Sequence, residues 1–248
     1  MKILETVHDM KLYRQKMTST VGFIPTMGAL HRGHLSLIAK AKQACDGIIT
    51  SIFVNPTQFN DPKDLEKYPR PLEHDLKMAR QAGVDVVFLP TAKEMYLDEY
   101  RFQICENQLS KILCGAHRPG HFEGVLTVVM KLLMITTPDR AYFGEKDYQQ
   151  FLLIREMAQA FFLPTEIIGL PTVREASGLA MSSRNVRLSK QQRTVAPMLF
   201  HELKSGKTPL EIKHNLESAG FTIEYLEEHF GRRFAAVFLG DVRLIDNV

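Results

Sequence analysis

Short apolar runs alternate with longer amphipathic stretches through the first two thirds of the chain. The apolar runs predict buried strands, and apolar residues three and four positions apart predict helices. The predicted strands are Val21–Thr26, Gly47–Val54, Val84–Leu89, Arg140–Phe143 and Glu166–Leu170. The predicted helices between them are His34–Ala44, Leu72–Ala82, Val125–Ile135 and Asp147–Phe162. This alternation predicts an α/β fold, in which helices cover both faces of a parallel sheet.

The pattern changes after about Glu175. Two helical stretches come first, and a strand and a hairpin with a two-residue turn follow. These elements are predicted at Ser189–Leu203, Leu210–Ala219, Phe221–Leu226, Ala235–Leu239 and Val242–Asp246. We therefore expect two domains, a larger one over residues 1–175 and a small α+β domain over residues 176–248.

Composition is that of an ordinary globular protein. The 248 residues are 45% hydrophobic and 24% charged, with a net charge of +3, which is too small to indicate a nucleic-acid or membrane partner. The three cysteines show no metal-binding spacing, and the N-terminus lacks the apolar core of a signal peptide. We expect a cytoplasmic protein.

Polar motifs follow four of the predicted strands directly. They are Met27–His34, Asn55–Phe59, Gly144–Asp147 and Thr172–Arg174. In an open α/β sheet, ligands bind outside the carboxyl ends of the strands. The four motifs are therefore expected to share one site.

The first of these motifs carries two histidines where a strand passes into a helix. A helix N-terminus offers unpaired N–H groups and partial positive charge, and this combination favours an anion. Gly28 and Gly33 let the backbone approach a ligand closely. The motif His31-Arg32-Gly33-His34 is therefore interpreted as a phosphate site rather than as two incidental surface histidines.

The other motifs are ambiguous when each is taken alone. Asn55–Phe59 is either an Asn-Pro turn or a pair of substrate-binding amides. Gly144–Asp147 is either a capped turn or a phosphate site using Lys146. Gly178–Asn185 is either a linker or a mobile loop that closes over a polyphosphate. His117 and His121 lack the partners of a zinc site, so the adjacent Arg118 is the better candidate there.

Together the motifs resemble the pantoate–β-alanine ligases, a family within the His-x-Gly-His adenylyl-transferring enzymes. The similarity runs from Thr26 to Arg187 and returns at Arg243–Asn247. It rests on the segments Pro25–His31, Phe53–Phe59, Arg118–Phe122, Phe143–Gln150 and Met181–Asn185. The resemblance implies a Rossmann-like larger domain.

The resemblance also implies residue roles. His34 would be the proton donor, with His31 and Lys146 on the phosphates, and these three are the expected catalytic residues. Gln58, Gln150 and Asn55 would bind the substrate. The implied ATP site comprises Met27, Gly28, Ala29, Leu30, His31, Arg32, Gly33, His34, Gly144, Glu145, Lys146, Asp147, Val173, Met181, Ser182, Ser183 and Arg184.

The reaction implied by the resemblance condenses pantoate with β-alanine. ATP would be a substrate, accompanied by Mg²⁺ whose ligands are not assigned, and no tightly bound organic cofactor is expected. The family also implies a homodimer. The C-terminal part looks shorter than expected of the family, because only His229–Phe234 separate Tyr225–Glu228 from the final hairpin. That shortening would affect how a lid closes.

Two alternatives remain open. Another His-x-Gly-His nucleotidylyltransferase would keep both histidines and the Met181–Arg184 loop, but it would not need Gln58 and Gln150 together. A catalytically inactive nucleotide-binding module is the second alternative. An aminoacyl-tRNA synthetase is disfavoured, because no anticodon-binding domain fits into residues 176–248.

Overall fold

The computed structural model describes residues 1–248, with nine strands and eleven α-helices. The strands are β1 (Lys2–Leu4), β2 (Val21–Thr26), β3 (Gly47–Ile52), β4 (Val86–Phe88), β5 (Arg140–Gly144), β6 (Glu166–Leu170), β7 (Thr222–His229), β8 (Arg232–Leu239) and β9 (Val242–Asn247). The helices are α1 (Val7–Gln15), α2 (Arg32–Ala41), α3 (Pro62–Glu66), α4 (Leu72–Ala82), α5 (Ala92–Met95), α6 (Cys114–His117), α7 (His121–Thr136), α8 (Tyr148–Ala160), α9 (Lys190–Val195), α10 (Met198–Lys204) and α11 (Pro209–Ser218). Short 3₁₀ turns occur at Pro56–Gln58, Leu109–Lys111, Glu145–Asp147 and Ser183–Arg187.

The larger sheet has six parallel strands in the order β1-β4-β3-β2-β5-β6. From β2 the chain builds outward through β3 to β4, and it then returns to place β5 on the other side of β2. The strand order therefore reverses between β2 and β5. This reversal opens a crevice at their carboxyl ends, which is where such sheets bind ligands.

Alternate residues of each strand face opposite sides of this sheet. Phe23 packs in a core with residues of α1, α7 and α8, and its neighbour Ile24 packs with residues of α2 and α4. Because successive strand side chains point to opposite faces, one short apolar run supplies both cores. The predicted fold class, a parallel sheet with helices on both faces, is confirmed.

A second, antiparallel sheet follows in the order β7-β8-β9. Its Val237 and Leu239 pack against α10 and α11 in a core of their own. Tyr225 and Phe234 belong instead to the core of α7 and α8. The small sheet is thus attached to the larger one, next to the crevice.

The structure differs from the sequence predictions in three places. The helix predicted over Ser189–Leu203 is two helices, α9 and α10, that meet at Pro197, which has no N–H for helix hydrogen bonding. Strands β7 and β8 extend through charged residues to His229 and from Arg232. The N-terminal β1 and α1 were not predicted; the three residues of β1 are fewer than a strand pattern needs to be recognised. None of the helices has both the length and the apolar character needed to cross a membrane.

Candidate active site

A cleft of about 250 Å³ lies at the carboxyl ends of β2 and β5, bordered by the loop that precedes α9. It gathers residues as far apart in the sequence as Pro25 and Arg184. The predicted site residues that line it are Met27, His31, Gly33, His34, Asn55, Gln58, Gly144, Lys146, Asp147, Gln150, Val173, Met181, Ser182, Ser183 and Arg184. Arg118 and His121 line it as well.

Five of the predicted ATP-site residues do not line the cleft: Gly28, Ala29, Leu30, Arg32 and Glu145. The first three form the turn after β2, Arg32 is exposed, and the Glu145 carboxylate accepts a hydrogen bond from Arg232 at 2.8 Å. These residues can still shape the site through their backbone.

The turn after β2 is held by a buried carboxylate. Asp75 of α4 is 1% exposed and accepts the backbone N–H groups of Ala29 and Leu30, each at 2.7 Å. A side chain at Gly28, whose φ is +79°, would place a Cβ 2.9 Å from the Asp75 carboxylate. Glycine is required there both by its backbone conformation and by this close approach.

The two histidines of the motif cap the helix that follows. The Gly33 N–H donates to His31 Nδ1 at 3.1 Å, and the His31 N–H donates to His34 Nδ1 at 3.2 Å. The two rings stack with their centroids 4.1 Å apart. Since each Nδ1 accepts a hydrogen bond, each neutral ring carries its proton on Nε2. The motif therefore presents two Nε2–H donors.

Burial and neighbouring charge keep these rings neutral. Burial lowers the pKa of His34 to about 3, with further lowering by His31 and Lys146. Burial and the charge of Lys146 lower the pKa of His31 to about 4, against a smaller opposite effect of Asp147. At neutral pH both histidines are hydrogen-bond donors without charge, and the positive charge of the cleft comes from lysine and arginine.

Lys146 is a cation whose charge acts on both histidines of the motif. It lies in the 3₁₀ turn between β5 and α8, its side chain is 18% exposed, and its Nζ is 3.8 Å from the Asp147 carboxylate. A partly buried lysine with only this one distant carboxylate retains donors for an incoming anion.

Gln58 is oriented by a buried asparagine. Asn55, 1% exposed, donates from Nδ2 to Gln58 Oε1 at 3.0 Å, and its own oxygen accepts from the Tyr96 hydroxyl at 2.6 Å. With its oxygen engaged, the Gln58 amide has its NH₂ group available for a ligand oxygen. Asn55 therefore acts here by holding Gln58.

The backbone of Gln58 is fixed from the other side. Both Arg118 and His121 donate to its carbonyl oxygen, at 3.2 and 2.8 Å, and Arg118 also contacts the second nitrogen of the His121 ring at 3.1 Å. Burial and the charge of Arg118 lower the pKa of His121 to about 3. Arg118 and His121 thus form a support for Gln58.

The two adjacent glutamines of α8 have different roles. Gln150 lines the cleft, and its side chain makes no hydrogen bond within the protein. Gln149 turns away and binds the backbone of Leu109, Ile112 and Cys114. Gln150 therefore faces the cleft with its amide free.

Asp64 of α3 and Tyr68, which follows this helix, contact the Ser183–Arg187 turn at the edge of the cleft. We call this set of contacts the clasp. Asp64 accepts from Arg184 at 2.7 Å and from Arg187 at 3.1 Å, and the Tyr68 and Ser183 hydroxyls are 3.2 Å apart. Burial opposes the charge of Asp64, but the two arginines outweigh it and lower its pKa. Arg184 is thus paired with a carboxylate.

Two of these residues were not found from the sequence. Asp75 carries a usable signal, because an acidic residue on the apolar face that contains Leu72, Leu76 and Ala79 indicates a buried partner. Asp64 carries no comparable signal. It lies in a short charged segment, and only the fold brings it to Arg184.

Comparisons with known proteins indicate one family. The family model described as pantoate-beta-alanine ligase matches residues 2–248. Relatives named pantothenate synthetase, from Bdellovibrio bacteriovorus and Legionella pneumophila, are 51% and 50% identical over the whole chain, which covers 98% and 99% of their lengths.

A solved structure provides a third comparison. A pantoate-beta-alanine ligase from Francisella tularensis, complexed with beta-gamma ATP and beta-alanine, is 43% identical, with a TM-score of 0.96, over all of this chain and 97% of that one.

The C-terminal part is not shortened relative to these relatives, because the chain spans nearly their full length. Residues Phe230 and Gly231, with φ of +54° and +71°, form the tight turn between β7 and β8 where a missing stretch was expected. The sequence match, the shared fold and the residues gathered in the cleft lead to one conclusion: the chain belongs to the pantoate–β-alanine ligase family.

Proposed function

We propose that this protein condenses pantoate with β-alanine at the expense of ATP, through a bound pantoyl adenylate, and releases AMP and pyrophosphate. One observation carries the proposal. His31, His34 and Lys146, which would bind phosphate, line the same cleft as two glutamine amides, Gln58 and Gln150. A nucleotide and a small hydroxy acid would therefore lie next to each other.

In the part of the site that would bind the nucleotide, the hydrogen-bond donors are already in place. The N-terminus of α2, the two Nε2–H groups and the Lys146 ammonium would bind the phosphates, and Val173 at the cleft wall would contact the nucleoside. Donors that are already in place stabilise charge as it develops on the leaving pyrophosphate. His34 acts in this scheme as a neutral donor, since its pKa is about 3.

The acid half of the site uses amides. Gln58 and Gln150 would donate to the hydroxyl and carboxylate oxygens of pantoate and aim the carboxylate at the α-phosphorus. Attack forms the carboxyl–phosphate bond and expels pyrophosphate. Orientation of two bound reactants supplies a large part of such a rate enhancement.

The second step needs no covalent bond to the enzyme. The neutral amine of β-alanine attacks the carbonyl of the mixed anhydride, the amide bond forms, AMP leaves, and the amine loses a proton. Arg118 and Arg184 give this side of the cleft positive charge, which would attract the carboxylate of β-alanine.

Mg²⁺ would be held mainly by the phosphates of ATP. The cleft offers the half-exposed Asp147 carboxylate beside Lys146, which fits an ion that takes one or two protein carboxylates and keeps several waters. When bound, Mg²⁺ neutralises phosphate charge.

The ion pair between Arg184 and Asp64 in the clasp would break when ATP binds. Arg184 pairs with Asp64, and a polyphosphate would compete for the same guanidinium. We infer that Arg184 exchanges its carboxylate partner for phosphate as Met181–Arg184 close over the nucleotide.

We also propose the division into domains of residues 1–175 and 176–248, a homodimer and a cytoplasmic location. The separate core of α9 to α11 with the small sheet supports the division. Sedimentation would test the dimer, and limited proteolysis near residue 175 would test the division.

ATP–pyrophosphate exchange, measured with pantoate present and β-alanine absent, tests the proposed function. We expect exchange that depends on pantoate, and AMP release once β-alanine is added. Exchange driven by another acid or nucleotide, with none on pantoate, would indicate a different adenylyl transferase of the same type. ATP binding without turnover on any acid would indicate an inactive module.

A further inference from the structure

The last strand of the chain reaches the turn that carries Lys146. Asn247, at the end of β9, is 3% exposed. Its Nδ2 donates to the carbonyl oxygens of Glu145 and Lys146, at 2.9 and 3.0 Å. A residue one position from the C-terminal end of this sequence is thus bonded to the phosphate-binding turn, about 100 residues away.

The orientation of this amide is fixed by its partners. Its Oδ1 accepts from Arg232 at 2.9 Å, and Arg232 also donates to the Glu145 carboxylate at 2.8 Å. The two carbonyls require the NH₂ group on one side, and the guanidinium requires the oxygen on the other. Both amide hydrogens and the oxygen are satisfied, so the side chain has no freedom to turn.

The neighbouring residue binds the opposite wall of the cleft. Asp246 is 4% exposed and accepts two hydrogen bonds from Arg174, at 2.5 and 2.9 Å. Arg174 directly follows Val173, a residue of the cleft lining. The end of β9 therefore connects the turn of Lys146 with the segment after β6.

We propose that Asn247 is a positioning residue for Lys146. It fixes the backbone of the Glu145–Asp147 turn, and through that backbone it sets where the Lys146 ammonium meets the phosphates. This inference deepens the proposed function and rests on it, since it assumes that Lys146 binds ATP. Asn247 itself does not line the cleft.

Equilibrium titration of the full-length protein with ATP and with adenosine, without pantoate, tests this role. Asn247→Ala and Asn247→Asp are both expected to weaken ATP binding about tenfold, because either change removes two hydrogen bonds to the turn. Adenosine, which has no phosphate, is expected to keep its affinity within about twofold.

The two substitutions remove different hydrogen bonds of the Asn247 amide. Asn247→Asp keeps an oxygen for Arg232 but puts a second oxygen against two carbonyls, so it should be at least as harmful as Asn247→Ala. It is also nearly isosteric, and it provides the measurement if Asn247→Ala does not fold. ATP affinity like that of the unaltered protein in Asn247→Asp would overturn the proposal.

A double-mutant cycle shows whether the effect passes through Lys146. In a Lys146→Ala background, Asn247→Ala should change ATP affinity by less than about twofold, because coupled residues are not additive. The same tenfold loss in both backgrounds, or an equal loss for adenosine, would overturn the proposal.

Asn215→Ala is the matched control. Asn215 donates to Glu202 at 3.0 Å within the same C-terminal part, away from the cleft, and its loss should leave ATP affinity unchanged. A loss of ATP affinity in Asn215→Ala equal to that in Asn247→Ala would show general damage and overturn the proposal. The proposed function is judged separately, by pantoate-dependent exchange of the unaltered protein.

Discussion

The Nδ1 atom of each histidine in the His-x-Gly-His motif accepts a hydrogen bond from a backbone N–H, so each ring has one donor, at Nε2. Gly33 is needed for this arrangement, since a Cβ there would lie 2.9 Å from the His31 ring. At the residue scale, the site consists of uncharged ring donors next to the Lys146 cation.

Removing one of these donors should slow the reaction strongly. We expect His34→Ala or Lys146→Ala to lower kcat for AMP formation by about 10²–10³-fold, as the loss of one preorganised donor does elsewhere. Steady-state assays with saturating substrates measure this effect. His74→Ala, at an exposed position of α4, is the control, and near-normal turnover in either site variant would remove that residue from the mechanism.

The neutral state of His121 should appear as acid sensitivity of the fold. Its pKa is about 3 in the folded protein against 6.5 ordinarily, so between these values the unfolded chain binds a proton that the folded chain does not. The free energy of unfolding therefore falls as pH falls through this window. His121→Gln should reduce that slope by about 1.4 kcal/mol per pH unit.

Urea unfolding at several pH values between about 6 and 4 gives the slope directly, since the unfolding free energy can be extrapolated at each pH. His74→Gln, at an exposed position, serves as the control. An unchanged slope in His121→Gln would show that His121 does not titrate differently on folding.

At the scale of elements, α4 and β2 build the site together. The turn after β2 has a non-glycine residue, Ala29, at φ +49°, and it is held by the Asp75 carboxylate of α4. The helix thus supplies a negative charge to backbone N–H groups that would otherwise be unpaired.

Asp75→Asn tests this link between the two elements. The amide NH₂ would face one of the two backbone N–H groups, so we expect a loss of about 1–3 kcal/mol in the free energy of unfolding. The KM for ATP should also rise, because the displaced turn leads into the histidine motif. Chemical denaturation and initial rates measure both, and Glu73→Gln, exposed on the same helix, is the control. Unchanged values in both measurements would contradict the link.

At the scale of the whole molecule, the clasp joins α3 to the segment before α9 across the cleft. Asp64 pairs with both Arg184 and Arg187, and Arg187 extends the contact to Asp241 in the turn between β8 and β9, at 3.1 Å. This network keeps the Ser183–Arg187 turn close to the cleft.

Asp64→Asn should loosen that closure. We expect backbone amides of residues 62–67 and 183–187 to exchange hydrogen about tenfold faster in the ligand-free variant, because the charged partner of two arginines is lost. Hydrogen exchange followed by mass spectrometry measures the change. Glu66→Gln, exposed on the same helix, should exchange like the unaltered protein, and similar protection in Asp64→Asn would show that the clasp does not hold the turn.

The sequence by itself determined five of the six strands of the larger sheet, all but β1, and the positions of its motifs. Strand β2 is predicted over its full length, and α4 begins and ends where its apolar spacing and Gly83 predict. These features depend on local periodicity and on residues with special backbone conformations, which a linear pattern records. The break at Pro197 between α9 and α10 was not predicted, because the apolar spacing continues across this proline.

Only the tertiary structure decided which partners the site residues have. Asp75 reaches Ala29, Asp64 reaches Arg184 and Asn247 reaches Lys146 across 46, 120 and 101 positions of the chain. Such contacts follow from the order of the strands and from the attachment of the small sheet beside the crevice. The local pattern of a segment predicts whether it forms a strand or a helix, but not which other segment it packs against. Only the packed fold selects one order of the strands.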